Sequence, residues 1–183
     1  NHCSSSHPWF KAFLEGREPY RRWFITVEDP QAAWLAQVPR ARDLPLTHPF
    51  PTAAGPVHVW TTYSPDLIDL DFRESGVCLE FCDLLLEAAA NGARIVRLDA
   101  FVYIWKEPGT RCLDLPQGHR LVQLFQEVLA AAGASGTRLL PSITNRTQAE
   151  NFAYLEGTGG AKEADLVYNL PLSFHIWGEL RIE

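Results

Sequence analysis

"NGARIVRLDAFVYIWKEPGT", Asn91 to Thr110, places an Arg and a carboxylate two residues apart at the end of an apolar run. Asn91-Gly92 is a helix stop, and "ARIVRLDA" after it reads as a buried strand. Successive side chains of a strand point to opposite faces, so Ile95, Arg97 and Asp99 share one face. A neighbouring guanidinium favours the ionised carboxylate, the form a nucleophile needs. Taken alone, an R-x-D tripeptide is more often a structural ion pair at a strand end, so its meaning depends on the chain around it.

On either side the pattern is regular. "ESGVCLEFCDLLLEAAANG" sets Val77, Cys78, Phe81, Cys82, Leu85, Ala88 and Ala89 on one helical face. A second amphipathic helix carries Leu121, Leu124, Phe125, Val128 and Leu129 and stops near Gly133. "RLLPSIT" (Arg138 to Thr144) reads as a strand, with Pro141 weakening its middle. "TQAENFAYL" reads as a short helix and "ADLVYNL" (Ala164 to Leu170) as a third strand. Alternating strands and helices predict an α/β fold with parallel pairing. An open doubly wound sheet and part of a closed barrel both fit that alternation. No glycine fingerprint for a dinucleotide or a nucleoside triphosphate follows any strand.

The first 65 residues differ: they hold nine of the thirteen prolines and four of the six tryptophans. Short helical runs are expected at Trp9 to Leu14 and Gln31 to Gln37. "PRARDLPLTHPFPTAAGP" (Pro39 to Pro56) is too proline-rich for a helix or a central strand. An irregular excursion is therefore expected, ending in the strand-like "VHVWTTY" (Val57 to Tyr63).

With 183 residues, 46% hydrophobic and 21% charged, the chain has the make-up of a globular domain. A net charge of −6 lacks the basic face that nucleic acid or an anionic membrane requires. No apolar run approaches the roughly 20 residues of a membrane span, and "NHCSSSHPWF" has no signal-peptide pattern. The four cysteines show neither zinc spacing nor a disulfide framework; Cys78 and Cys82 are expected to pack as small apolar residues, and a cytoplasmic setting follows. His2, Cys3 and His7 are close in sequence but nothing completes a metal site. With no Met and Asn1 in first place, the sequence is expected to be an internal piece of a longer protein.

Taken together, these stretches resemble the alpha-amylase family, glycoside hydrolase family 13, and within it the sucrose phosphorylase-like subgroup. "GARIVRLDAFVYIWKEPGT" is similar to the family's fourth-strand region, with Lys106, Gly109 and Thr110 matching the subgroup's continuation. "NHCSSSHPWF" resembles its third-strand motif through Asn1-His2. "VWTTYSPDLIDLDFRES" (Val59 to Ser75) resembles the run before the nucleophile strand, and "ADLVYNLPLSFH" the sixth-strand region. The resemblance implies a partial (β/α)8 TIM barrel, about strands 3 to 6, with an irregular subdomain inserted between strands 3 and 4. Residues 1–7 would end strand 3, 8–58 form the subdomain, and 59–183 carry strands 4 to 6 with their helices.

The same resemblance implies a retaining glucosyl-transferring enzyme acting on sucrose or a related alpha-glucoside. Asp99 would attack the anomeric carbon, Arg97 would orient Asp99 and contact the sugar, and His2 would hydrogen-bond a glucose hydroxyl. No cofactor is implied. The partners would be a small carbohydrate and, as acceptor, phosphate, water or another hydroxyl compound.

One departure stands out. Retaining glycoside chemistry uses a second carboxyl as acid/base, which the related phosphorylases carry directly before a Thr-Asn pair. Before Thr144-Asn145 this chain has Ile143. Neither Ser142 nor Thr144 can donate a proton near neutral pH, and Glu150 and Glu156 fall beyond the strand. The alternative function is thus a catalytically inactive, carbohydrate-binding relative on the same barrel.

Overall fold

The proline-rich first third contains a hairpin. Strand β2 (Thr47–Thr52) pairs antiparallel with β3 (Gly55–Trp60), Thr47 opposite Trp60 and Thr52 opposite Gly55. Leu46 O accepts from Thr61 N at 2.8 Å, so the bonded positions of this strand are the even-numbered ones. Pro49 and Pro51 fall between them, where a missing N–H costs no ladder bond. On the other side of β3, Trp60 N donates to Ile25 O and Val27 N to His58 O, both at 2.9 Å. Strand β2 is therefore the edge, the one place in a sheet that accepts two prolines.

The computed structural model describes residues 1–142, 147–169, 172, 176 and 177. They fall into two compact units: Asn1–Phe81 with Tyr103–Leu115, and Cys82–Val102 with Pro116–Glu183. In the first unit β1 (His2–Ser4) pairs antiparallel with β4 (Leu67–Asp69), His2 opposite Asp69. Helix α1 (Pro8–Leu14) begins with proline at its first position and a cap from His7, whose side chain accepts from Trp9 N. It buries Phe10 and Phe13 against Phe24, with ring centroids 5.1 Å apart in each pair. The run expected at Gln31 to Gln37 is a 3-10 turn, Ala33–Gln37. A second cluster packs Ile25, Leu35, Val38, Leu46, Trp60 and Cys112. Trp23 and Trp60 are buried, so these two indoles serve packing.

Helix α2 (Ser75–Ala90) follows, and its heptad-like spacing buries Val77, Cys82 and Leu85 while Leu79 and Leu84 face outward. In the second unit, β5 (Ile95–Leu98) pairs in parallel with β6 (Arg138–Pro141), Ile95 opposite Arg138. The intervening α3 (Pro116–Ala131) buries Gly118, Leu121, Val122, Phe125 and Leu129. Leu124, expected on that face, is exposed; it lies one turn-step off the stripe that Val122 and Phe125 define. Helix α4 (Gln148–Glu156) opens with a capping box in which Thr147 and Glu150 satisfy each other's backbone N–H.

The third expected strand, Ala164 to Leu170, is not one. Leu170 lies outside the described residues, and 164–169 carry no ladder. The cause is local. Leu139 N, the donor on the open edge of β6, is taken at 2.8 Å by the Asp165 side chain rather than by a strand carbonyl. Leu139 O accepts from both Asp165 N and Leu166 N, at 3.1 and 3.3 Å. The segment is thus stapled to β6 by one carboxylate, and the regular exchange of backbone bonds stops there. None of the four cysteines forms a disulfide.

Candidate active site

Strand β5 alternates as its sequence requires: Val96 and Leu98 are half-buried, and Ile95, Arg97 and Asp99 are exposed on the other face. Asp99 follows the last strand residue. Ala100, next in line, adopts φ 51° and is buried. A left-handed alanine costs about 1–2 kcal/mol, and here it turns the chain sharply from β5 into the 3-10 turn Phe101–Tyr103. The carboxylate therefore sits on a strained corner, with its backbone direction set on both sides.

Arg97 uses all three nitrogens. Nη1 pairs with Asp99 Oδ1 at 2.5 Å, Nη2 donates to Ser142 Oγ at 2.9 Å, and Nε donates to Tyr168 Oη at 2.9 Å. The guanidinium carbon also lies 6.0 Å from the Tyr168 ring centroid. Partial burial opposes the charge on Arg97. The Tyr168 hydrogen bond and the Asp99 pair outweigh it and raise the guanidinium above its ordinary value. Ser142 is brought into reach by the parallel ladder, since its N–H donates to Leu98 O at 2.8 Å. The side chains of Arg97 and Asp99 remain about half exposed, 47% and 52%. A carboxylate oriented by a three-point guanidinium and open on its outer side can approach an electrophilic carbon, provided that side is closed to water.

His2 belongs to the first unit. Its Nδ1 is 2.7 Å from Asn1 Oδ1, and its ring stands edge-on to Tyr63 with centroids 5.8 Å apart. Beneath it, Asp69 is fully buried and bonded to Lys106 Nζ, Thr62 Oγ1 (2.6 Å) and Thr62 N (3.1 Å). Ile143 lies outside the described residues. The structure thus brings Arg97 and Asp99 together and gives them two partners, Ser142 and Tyr168, that sequence reading did not assign. It also joins Lys106, noted only as part of a motif, to Asp69. The signal for that pair was "LIDLDF", where Asp69 and Asp71 interrupt an apolar run. Among the described residues no three His, Cys, Asp or Glu side chains are grouped to hold a metal ion, and no helix is long and apolar enough to cross a membrane.

No family model matches the chain. Individual proteins do. Over 172 residues, 94% of its length, it is 46% identical to a glucosylglycerate phosphorylase of Allomeiothermus silvanus and 42% identical to that of Spirochaeta thermophila. It superposes on the crystal structure of sucrose 6F-phosphate phosphorylase from Thermoanaerobacter thermosaccharolyticum with a TM-score of 0.80, at 25% identity, over 96% of the chain. The chain belongs to the alpha-amylase family, glycoside hydrolase family 13. It spans 30% and 28% of the two curated relatives and 37% of the solved phosphorylase. Solved neighbours in the alpha-amylase family are (β/α)8-barrel enzymes, and this α/β chain covers part of that barrel's length.

Proposed function

We propose that the protein is a retaining glucosyl phosphorylase whose donor is a glucoside of glycerate or a close analogue. Asp99 attacks C1 of the donor, the glycosidic C–O bond breaks, and a glucosyl ester forms on the carboxylate. A phosphate oxygen then attacks C1 from the vacated face, which releases Asp99 and yields an α-glucosyl phosphate with retained configuration. Arg97 pairs with Asp99 and aims it, and His2 takes a glucose hydroxyl. In the barrel, residues 1–7 close strand 3, residues 8–58 form the inserted subdomain and residues 59–183 carry strands 4 to 6.

The observation that carries this reading is the Asp99 carboxylate, held by a guanidinium that is itself tied to Ser142 and Tyr168. Relatives at 42% and 46% identity that are glucosylglycerate phosphorylases favour that donor within the class that the resemblance implied, sucrose or a related alpha-glucoside. Four cysteines without a disulfide support a reducing, cytoplasmic setting.

Ile143 bears on the first step. Without a general acid the leaving alkoxide departs unprotonated, a loss of about 10²–10⁴-fold in rate. That favours a second reading, a sugar-binding relative without turnover. A 2-fluoro glucosyl fluoride separates the two because fluoride leaves without an acid. Mass spectrometry of the treated protein should find one glucosyl adduct, on the peptide carrying Asp99. Glucosylglycerate binding with no adduct at Asp99 would establish the non-catalytic reading instead.

A further inference from the structure

We propose that Asp69, held by Lys106, is a positioning residue that sets the tautomer of His2, so that Nε2 accepts a hydrogen bond from a ligand hydroxyl. The ligand half of this statement rests on His2 contacting glucose, as argued above. The tautomer half does not.

The chain of constraint starts from burial. Asp69 is 0% exposed and Lys106 4%. A carboxylate and an ammonium at that depth persist only when paired and fully hydrogen-bonded. Asp69 Oδ1 accepts from Thr62 N; Oδ2 accepts from Thr62 Oγ1 and Lys106 Nζ. Lys106 Nζ also donates to Tyr103 O and lies 5.9 Å from the Trp60 ring centroid. Thr62 Oγ1 is fixed in turn by Trp60 Nε1 at 3.0 Å. These partners leave the carboxylate and the Tyr103 carbonyl with little freedom to move.

The Asn1 amide reads that arrangement. Its Nδ2 is 3.4 Å from Asp69 Oδ2 and 3.2 Å from Tyr103 O. A carbonyl and an ion-paired carboxylate only accept hydrogen bonds, so the NH₂ end must face them; the opposite flip would set oxygen against oxygen. Asn1 Oδ1 therefore faces His2 Nδ1 at 2.7 Å. Because an amide oxygen cannot donate, Nδ1 carries the proton. A neutral imidazole has one N–H, so Nε2 holds the lone pair. The strand register sets His2 opposite Asp69, which keeps the two ends of this relay at one level of the β1–β4 ladder. An acceptor at Nε2 selects a hydroxyl donor and rejects a group that only accepts, such as a deoxyfluoro carbon in the same place.

Two-bond ¹H–¹⁵N correlation spectra of the histidine-labelled chain at about pH 8, where an ordinary imidazole is neutral, read the tautomer directly and without ligand. His2 should show a protonated-type Nδ1 and an unprotonated-type Nε2. In Asp69→Asn the amide oxygen turns toward Lys106 Nζ and the Asn1 NH₂, so the His2 proton should stay on Nδ1; in Asp69→Ala that acceptor is gone and the Nδ1 preference should weaken. Asn1→Ala, at a half-buried position, should lose the Nδ1 preference with the rest of the spectrum retained. A wild-type His2 protonated at Nε2 overturns the proposal whatever the variants do, and so does an Nδ1–H tautomer unchanged in Asn1→Ala. If the tautomer is as stated but glucose leaves the His2 resonances unmoved, the sugar contact fails and the positioning relay stands.

Discussion

The Tyr168 phenol accepts a hydrogen bond from Arg97 Nε at 2.9 Å, across 71 residues of chain. It holds the one guanidinium nitrogen that faces neither Asp99 nor Ser142, and so determines the plane of the fork. Tyr168→Phe keeps the ring and deletes that acceptor. A lost hydrogen bond to a charged group is worth about 1.5–3 kcal/mol, of which only the part felt at Asp99 affects reaction. Labelling of Asp99 by the fluoride reagent should slow about 5–50-fold, converting about 1–2.3 kcal/mol at 1.4 kcal/mol per decade, with the fold retained. An unchanged labelling rate would remove Tyr168 from the site.

Glu163 is fully buried and accepts from His119 Nδ1 (2.6 Å), Gln123 Nε2 (3.0 Å), Thr158 N (2.9 Å) and Thr158 Oγ1 (2.6 Å). It ties the loop after α4 to α3. Glu163→Ala leaves these donors without their acceptor and should cost about 3–5 kcal/mol. Urea denaturation of the purified chain provides the check.

Gly157 ends α4 at φ 73°, and a Cβ placed there would lie 1.9 Å from Ala161 O. Both the backbone region and the space forbid a side chain. Gly157→Ala should destabilise by more than about 2 kcal/mol, whereas Gly159→Ala, with φ 64° but open space around it, should cost only about 1 kcal/mol. A comparison of the two midpoints in urea separates clash from conformation.

Burial pushes the Cys3 thiol up to about 12, with Asp69 acting in the same direction. At pH 8 almost no thiolate is present at this position. Iodoacetamide should modify Cys3 at least about tenfold more slowly in the folded chain than in urea. Peptide mapping after timed quenching measures the ratio.

His48 donates to or accepts from Thr61 Oγ1 at 2.6 Å in the hairpin. Burial lowers its pKa below the ordinary 6.5, and His58 adds to the effect. The unfolded chain therefore binds the proton more readily than the folded one. The His48 contribution is fully present above about pH 6.5 and is lost as pH falls from there through the folded value. In His48→Gln the stability curve should be flatter over that window, as read by urea midpoints from pH 7.5 down to 5.

Helices α2 and α3 and strand β5 were legible from local pattern. The 3.6-residue spacing of Val77, Cys82 and Leu85 specifies α2, that of Leu121, Phe125 and Leu129 specifies α3, and the alternation through Arg97 specifies β5. These features depend only on which side of a helix or strand a residue occupies, a property carried by neighbours within one or two turns. The Arg97–Asp99 pair was legible for the same reason, being two residues apart on one strand. The prolines around β2 were read against a helix or a central strand, and the stretch was expected to be irregular because sequence does not say that a strand here lies at an edge. Ala164 to Leu170 was read as a strand because apolar content does not reveal that Asp165 will occupy the Leu139 N–H.

What the sequence by itself determined is therefore helices α2 and α3, strand β5 and most of their buried faces, the family motifs and the Arg–Asp pair on β5. What only tertiary structure decided is the choice of partners: Tyr168 and Ser142 for Arg97, Lys106 for Asp69, and through Asp69 and Asn1 the setting of His2. Tyr168, Ser142 and Lys106 lie 37 to 71 residues from the groups they hold. A donor and an acceptor that far apart meet only when chain packing delivers them, and no local period encodes that meeting.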